Sequence, residues 1–332
     1  MKKCKLPIDC VLGLTYRCNS RCVMCDIWKI KDYPELTLEQ FEKLPSSLRD
    51  INLSGGEPFL RSDLPEIVKI LNRRCPKARM VISSNGFATE LIVKQMKEIL
   101  KIKPDIGVAI SIDGLETTHD EMRGIPGGFQ KAMATVSELK KLGMTNLRLG
   151  FTVMEKNINQ MEKVYDLTKK LGIEFTHSFA QSSDFYFGGK QNEVHPRADL
   201  LKKEYEYLIN SELKSWNVKK WLRAFFAHGM YNFITSKTPV LDNAPGRDFF
   251  FLDPNGTVYP SVVHNVPMTN INELDKLTDF WCSKQADEKR ENIDALKIPV
   301  WMICTARTAI RKHPLKVIFW ILKNKIFGFK IK

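Results

Sequence analysis

Residues 18–25 read Cys18-Asn19-Ser20-Arg21-Cys22-Val23-Met24-Cys25, three cysteines within eight positions, just after an apolar run that ends near Leu14. Three thiolates this close can hold three corners of an iron–sulfur cube, whereas a cube ligated wholly by protein takes four. No fourth cysteine stands nearby, so one iron would be left open for a ligand that is not protein. Zinc would want four ligands or a bound water, and no cysteine or histidine follows at finger spacing. A disulfide reading fails on parity, and clustered cysteines in an intracellular chain read as a metal site.

Around this stretch the chain alternates between two periodicities. Asp9 to Tyr16, Asp50 to Leu53, Arg79 to Ser83, Ile106 to Ile112, Leu147 to Val153 and Glu174 to Phe179 read as strands. Between them, helices are predicted from Thr37 to about Leu44, and over Asp63 to Arg74, Thr89 to Leu100, Phe129 to Leu142 and Asn159 to Leu171. Six alternations imply parallel strands joined by right-handed crossovers. Six units cannot close an eight-stranded barrel, so the fold class is α/β, an open, partial (β/α)6 barrel of TIM type. Function in such folds gathers at the carboxyl ends of the strands, where the cysteine loop lies.

The same ends carry Ser54-Gly55-Gly56-Glu57-Pro58, Ser83-Ser84-Asn85-Gly86 and Ser111-Ile112-Asp113-Gly114, with His119-x3-Arg123-Gly124 after the last of them. Taken with Cys-x3-Cys-x2-Cys, this series resembles the radical S-adenosylmethionine enzymes over roughly the first 180 residues. The resemblance implies one 4Fe–4S cluster on Cys18, Cys22 and Cys25, with S-adenosylmethionine chelated to the open iron. It implies that Gly55, Gly56, Glu57 and Pro58 line the methionine moiety, Glu57 or nearby backbone meeting the ammonium. Ser111 and Arg123 would reach the carboxylate, a guanidinium suiting a planar anion. Asn85 would lie near the cofactor and Met24 along the adenine, and Asp113 is a candidate catalytic residue. As scaffold alone, the glycines would make turns, Asp113 would bind backbone amides and Arg123 would form a surface ion pair.

Residues 195–305 read as a smaller α+β domain after a barrel of residues 1–194. Its first part, His195 to Thr235, is helical, with Trp216, Trp221, Phe225, Phe226, Tyr231 and Phe233 expected mostly in the core. Phe249 to Pro260 reads as a hairpin turning at Asp253-Pro254-Asn255-Gly256. Asn243-x12-Gly256-x4-Ser261 has the spacing at which auxiliary-cluster domains of related enzymes, the SPASM and twitch types, place Cys, Gly and Cys. Here Asn and Ser hold both cysteine positions. In Lys297 to Cys304, Val300 stands where the family has a cysteine, and Cys304 remains alone. One thiolate cannot hold a cluster, so the resemblance is to a degenerate domain without its auxiliary cluster. Net oxidation then lacks a protein electron sink, and a redox-neutral outcome such as epimerisation becomes easier to support. Cys304 is a candidate hydrogen-atom donor, Cys282 a second, against the plainer reading of each as a small apolar residue.

The formal charge is +13, and no Asp or Glu occurs after Asp294. Much of the excess thus belongs to residues 306–332 rather than to the body, which argues against nucleic-acid binding. Pro314 can start a helix, with Leu315, Ile318, Phe319, Leu322, Ile326 and Phe329 at helical spacing among lysines. That composition fits a helix in an anionic membrane interface and equally a terminal helix packed on the barrel. No secretory signal or membrane-spanning run is found: Met1-Lys2-Lys3 is basic, but Pro7 and Asp9 interrupt the short apolar run beside it. Cys4, Cys10, Cys75, Cys282 and Cys304 show no pairing pattern, and a reducing cytoplasm suits them, with the tail allowing a peripheral place at the inner membrane face. A flavodoxin or ferredoxin would supply electrons to act on an unidentified peptide, sugar or lipid-linked glycan. The rival reading is a non-catalytic iron–sulfur binding protein on the same fold.

Overall fold

In this computed structural model residues 4–192 and 197–331 are described. The basic Met1 to Lys3, the expected domain boundary at 194/195 and Lys332 lie outside them. In chain order the elements are β1 (Asp9–Gly13), α1 (Leu38–Glu42), β2 (Asp50–Ser54), α2 (Leu64–Arg74), β3 (Arg79–Ser84), α3 (Thr89–Ile102), β4 (Gly107–Ser111), α4 (Glu116–Arg123), α5 (Gly128–Lys141), β5 (Leu147–Val153), α6 (Met161–Leu171) and β6 (Glu174–Phe179). Next come α7 (Ala198–Lys214), α8 (Val218–Ser236), β7 (Phe249–Leu252), β8 (Thr257–Tyr259), β9 (Thr269–Asn270), α9 (Leu277–Trp281), α10 (Lys284–Ala295), α11 (Ile303–Lys312) and α12 (Pro314–Phe327).

The six expected strands form one parallel succession, β6-β5-β4-β3-β2-β1, each paired with its neighbour in sequence. Residues alternate along each strand between the helix layer and the barrel interior. Leu12, Ile51, Leu53, Met80, Ile82, Val108, Ile110, Leu147 and Leu149 turn outward into the core under the helices. The hairpin expected at 249–260 is present, and β7 pairs in parallel with β1, Asp9 opposite Phe249. With β8 and β9 antiparallel beyond it, the sheet reaches nine strands. The C-terminal strands therefore extend the barrel sheet.

Three other expectations change. The first strand stops at Gly13 rather than Tyr16, because Thr15 to Arg17 leave the sheet to meet the turn after β2. The helix α4 was not anticipated. It is mostly polar, and its buried residues are His119, Met122 and Arg123, with Gly124 as its left-handed cap at φ 63°. Phe225, Phe226 and Phe233 are core as expected, but Trp216 is 88% exposed. No helix among the described residues is long and apolar enough to cross a membrane.

Candidate active site

The three cysteines lie on the loop after β1, and two contacts fix that loop. Backward, Gly56 N donates to Thr15 O (2.7 Å) and Glu57 N to Arg17 O (2.8 Å). The backbones approach so closely that a Cβ on Gly56 would stand 2.2 Å from Arg17 O, and one on Gly55, at φ +114°, 2.6 Å from Thr15 O. Glycine is required at both positions by this approach. Forward, Arg21 N donates to Arg123 O and Val23 N to Met122 O, both at 2.9 Å. Carbonyls left open at the end of α4 thus take up the amides of the cysteine loop.

Glu57 is completely buried. Its carboxylate accepts from Ser84 Oγ (2.9 Å), Asn85 N (2.8 Å) and Phe59 N (3.4 Å). Burial pushes its pKa up to about 7, against the pull of those three donors. The side chain is committed to holding the β2 and β3 ends together, which leaves backbone as the nearer partner for an ammonium. Asn85 ties the same end to the cysteine loop. Its Nδ2 donates to Asn19 Oδ1 at 2.7 Å and lies 3.9 Å from Cys18 Sγ.

Asp113 and Arg123 form a buried pair, Nη2 to Oδ2 at 2.7 Å. The other carboxylate oxygen accepts from Thr152 N (2.7 Å), and Asn157 Nδ2 donates to Asp113 O. Arg123 is therefore not on the surface, and Asp113 aims it. The guanidinium then reaches the loop, with Nη1 3.6 Å from Cys22 Sγ, while its buried Nε has no acceptor among the described residues. Ser111 ends β4 half-buried, and Pro58 is buried behind the glycine turn. Met24, on the same loop between Cys22 and Cys25, is buried against Met122 and Ala180.

These residues fit an iron–sulfur cluster with an anionic partner. All three thiols are free, and Cys18 and Cys25 both have Cys22 in their electrostatic surroundings. Burial holds the Cys18 and Cys25 thiols up at about 12, so binding a cluster must release protons. Among the described residues no three ligands are closed around a single ion. A cube places its thiolates on separate irons instead. The unpaired Arg123 Nε supplies a donor for a carboxylate beside them.

Cys304 lies elsewhere. It lines a cavity of about 400 Å³ within the barrel, with Asn52, Ser83, Arg148, Thr176 and Phe226. The floor of that cavity, at the strand starts, carries Asp9, Asp50, Arg79 and Arg307. Tyr186, which sequence reading passed over, lies between the two cysteine regions. Its hydroxyl is 3.4 Å from Ser54 Oγ, and both Cys304 and Cys25 are among the groups raising its pKa, after burial itself. Its position beside Gly188 and Gly189 in a loop gave no signal of this. Cys282 is not a free thiol: it forms a disulfide with Cys4, correcting both the expected absence of pairing and its candidacy as a hydrogen donor. The two are 278 residues apart, so only the folded chain brings them together.

At the auxiliary positions the Asn243 amide donates to Val300 O, and Ser261 Oγ pairs with His264 Nδ1 at 2.7 Å. The Asn243 amide thus joins two of the segments, while the Ser261 bond stays within its own turn.

Residues 12–168 match the model of the radical SAM superfamily. The chain is 26% identical over 289 residues to the sporulation killing factor maturation protein SkfB of Bacillus subtilis, covering 83% of this chain and 65% of that protein. It is 33% identical over 175 residues to Fe-coproporphyrin III synthase of Methanosarcina barkeri, and 27% over 214 to the mycofactocin maturase MftC of Mycolicibacterium smegmatis. It spans 42% and 52% of those two relatives' lengths, the matches taking in 51% and 61% of this chain. Among solved structures, SuiB of Streptococcus suis bound to S-adenosylmethionine superimposes with a TM-score of 0.64 at 14% identity, over 86% of this chain and 68% of that one. anSMEcpe with bound AdoMet and a peptide gives 0.58 at 14% identity, over 96% and 99%. At such identities the likeness shows the fold: the partial barrel with its C-terminal extension. The matched model, carried on the cysteine loop and the strand-end motifs that surround it, identifies residues 12–168 as a radical SAM domain.

Proposed function

We propose that the chain cleaves S-adenosylmethionine reductively and abstracts hydrogen from a peptide substrate held in the barrel. The observation that carries this is the cysteine loop locked between the Gly55-Gly56 turn and the end of α4, with Arg123 aimed at it by Asp113. Cys18, Cys22 and Cys25 would hold a 4Fe–4S cluster, which would supply the electron for reductive cleavage of S-adenosylmethionine. The chain's own part is placement. Arg123 would hold the carboxylate of the methionine moiety, the backbone of Gly55 and Gly56 its ammonium, and Asn85 and Ser111 would border it. Peptide as substrate class rests on SkfB and MftC, whose names describe maturation, and on SuiB bound to a precursor peptide. The hydrogen bonds at Asn243 and Ser261 support a single cluster per chain and, with it, a redox-neutral outcome. Cys304, a buried thiol pushed up to about 12, stays protonated at neutral pH and has the S–H that a donor to a substrate radical needs. A flavodoxin or ferredoxin would serve as reductant.

The test is anaerobic reconstitution with iron and sulfide, an iron count, then dithionite and S-adenosylmethionine. About four irons per chain and formation of 5′-deoxyadenosine are expected. Four irons with no cleavage, with or without candidate peptides, would favour a non-catalytic iron–sulfur protein.

A further inference from the structure

The helix α12 is apolar on two faces, and packing accounts for one. Val317 and Ile321 are buried, and between them Trp320 stacks on His228 (4.9 Å) and meets Phe225 edge-on (5.3 Å). The opposite face carries Leu315, Ile318, Phe319, Leu322 and Ile326, spaced by three and four residues as a single stripe. Each is between 52% and 82% exposed. Five large apolar side chains in one row are not scattered surface residues, and such patches mark an interaction site.

The charges around the stripe identify what it meets. At 100° per residue, Lys316 and Lys323 border it on one side and Lys325 on the other. No carboxylate side chain occurs after Asp294, so nothing along α12 neutralises them. Lys325 Nζ caps the end of α7 through Leu213 O and stands 5.0 Å from the Trp216 ring, and Trp216 is itself 88% exposed. Exposed Val218 lies two residues further along the chain. Aliphatic bulk in the middle, lysines at the rims and an exposed indole at one end match the interface of an anionic bilayer. There lysine stems extend toward headgroups and tryptophan sits at headgroup level. A second copy of the chain fits poorly, because a two-fold contact through this stripe would set its lysine rims against each other.

We propose that α12 seats this protein on the surface of an anionic phospholipid bilayer. The full-length protein would be sedimented with vesicles of phosphatidylcholine alone and of phosphatidylcholine with phosphatidylglycerol. Binding is expected only to the anionic vesicles, falling with salt, with Trp216 emission moving to shorter wavelength. Phe319→Ser with Leu322→Ser should lower the partition by on the order of tenfold or more. Lys316→Gln and Lys323→Gln should each lower it roughly fivefold and flatten the salt dependence. These side chains are exposed, so thermal midpoints and 5′-deoxyadenosine formation in solution stay unchanged, which separates lost docking from lost folding. Absence of anionic-vesicle binding, or binding indifferent to Phe319→Ser with Leu322→Ser, overturns the proposal. Concentration-dependent self-association abolished by those substitutions, without vesicle binding, also overturns it and assigns the face to a second copy.

Discussion

Arg123 and Asp113 show how much a single buried pair decides. The guanidinium stands beside the three thiols only because one carboxylate oxygen holds it at 2.7 Å while the other is held by Thr152 N. Asp113→Asn keeps the shape but leaves a buried cation without its counter-charge. Urea unfolding of the cluster-free protein should show a loss of about 3–5 kcal/mol. Arg123→Lys keeps the charge and loses the planar fork. The reconstituted Lys variant should retain its iron yet bind S-adenosylmethionine on the order of tenfold more weakly. Iron lost along with binding would mean that Arg123 serves the loop alone. The sequence marks both residues as candidates for the site, but it does not disclose their pairing. Asp113 precedes α4 and Arg123 ends it, so the pair depends on a helix whose polar composition hid it.

At the scale of elements, the cysteine loop is held by close approach rather than by side chains. A methyl on Gly56 would meet Arg17 O at 2.2 Å, and one on Gly124, at φ +63°, would meet Arg21 O at 2.3 Å. Backbone on both sides leaves no flexible group to yield, so Gly56→Ala and Gly124→Ala must each push the loop away. Both should cost at least about 2 kcal/mol and lower the iron retained after reconstitution. Gly143→Ala is the control: its Cβ meets nothing within 4 Å, so it carries only the left-handed strain of φ +81° and should keep its iron. Strand order was readable because the first four strands each end in a polar motif and the fifth and sixth alternate apolar and polar residues around a helix. Strand ends were less so: Thr15 and Tyr16 look like strand but serve the turn at Gly55. In β7, the four consecutive buried residues Phe249 to Leu252 disclosed a strand, not that it would pair with β1.

Across the whole molecule, what sequence could not show is what distance in the chain conceals. Cys4 meets Cys282, Asn243 meets Val300, and α11 closes the floor of the barrel. That floor joins the chain's two ends electrostatically. Arg307 pairs with Asp9 (3.0 Å) and Asp50 (2.9 Å), and Arg311 with Asp50 (2.8 Å), so α11 is tied to the first residues of β1 and β2. Burial nonetheless pushes Asp9 up to about 7, Arg307 being the strongest group that pulls it down. A carboxyl raised above its unfolded value favours folding most below that unfolded value, near 4, and loses this contribution as pH rises through about 7. Removing Arg307 raises Asp9 further, so the loss extends to higher pH. Arg307→Met should therefore cost more at pH 8 than at pH 5, by about 1 kcal/mol, read from urea midpoints. Adding Asp9→Asn removes the titrating group and should erase most of that difference. An equal cost at both pH values would mean that Arg307 stabilises the floor by the packing of its stem in the cavity wall, not by meeting Asp9.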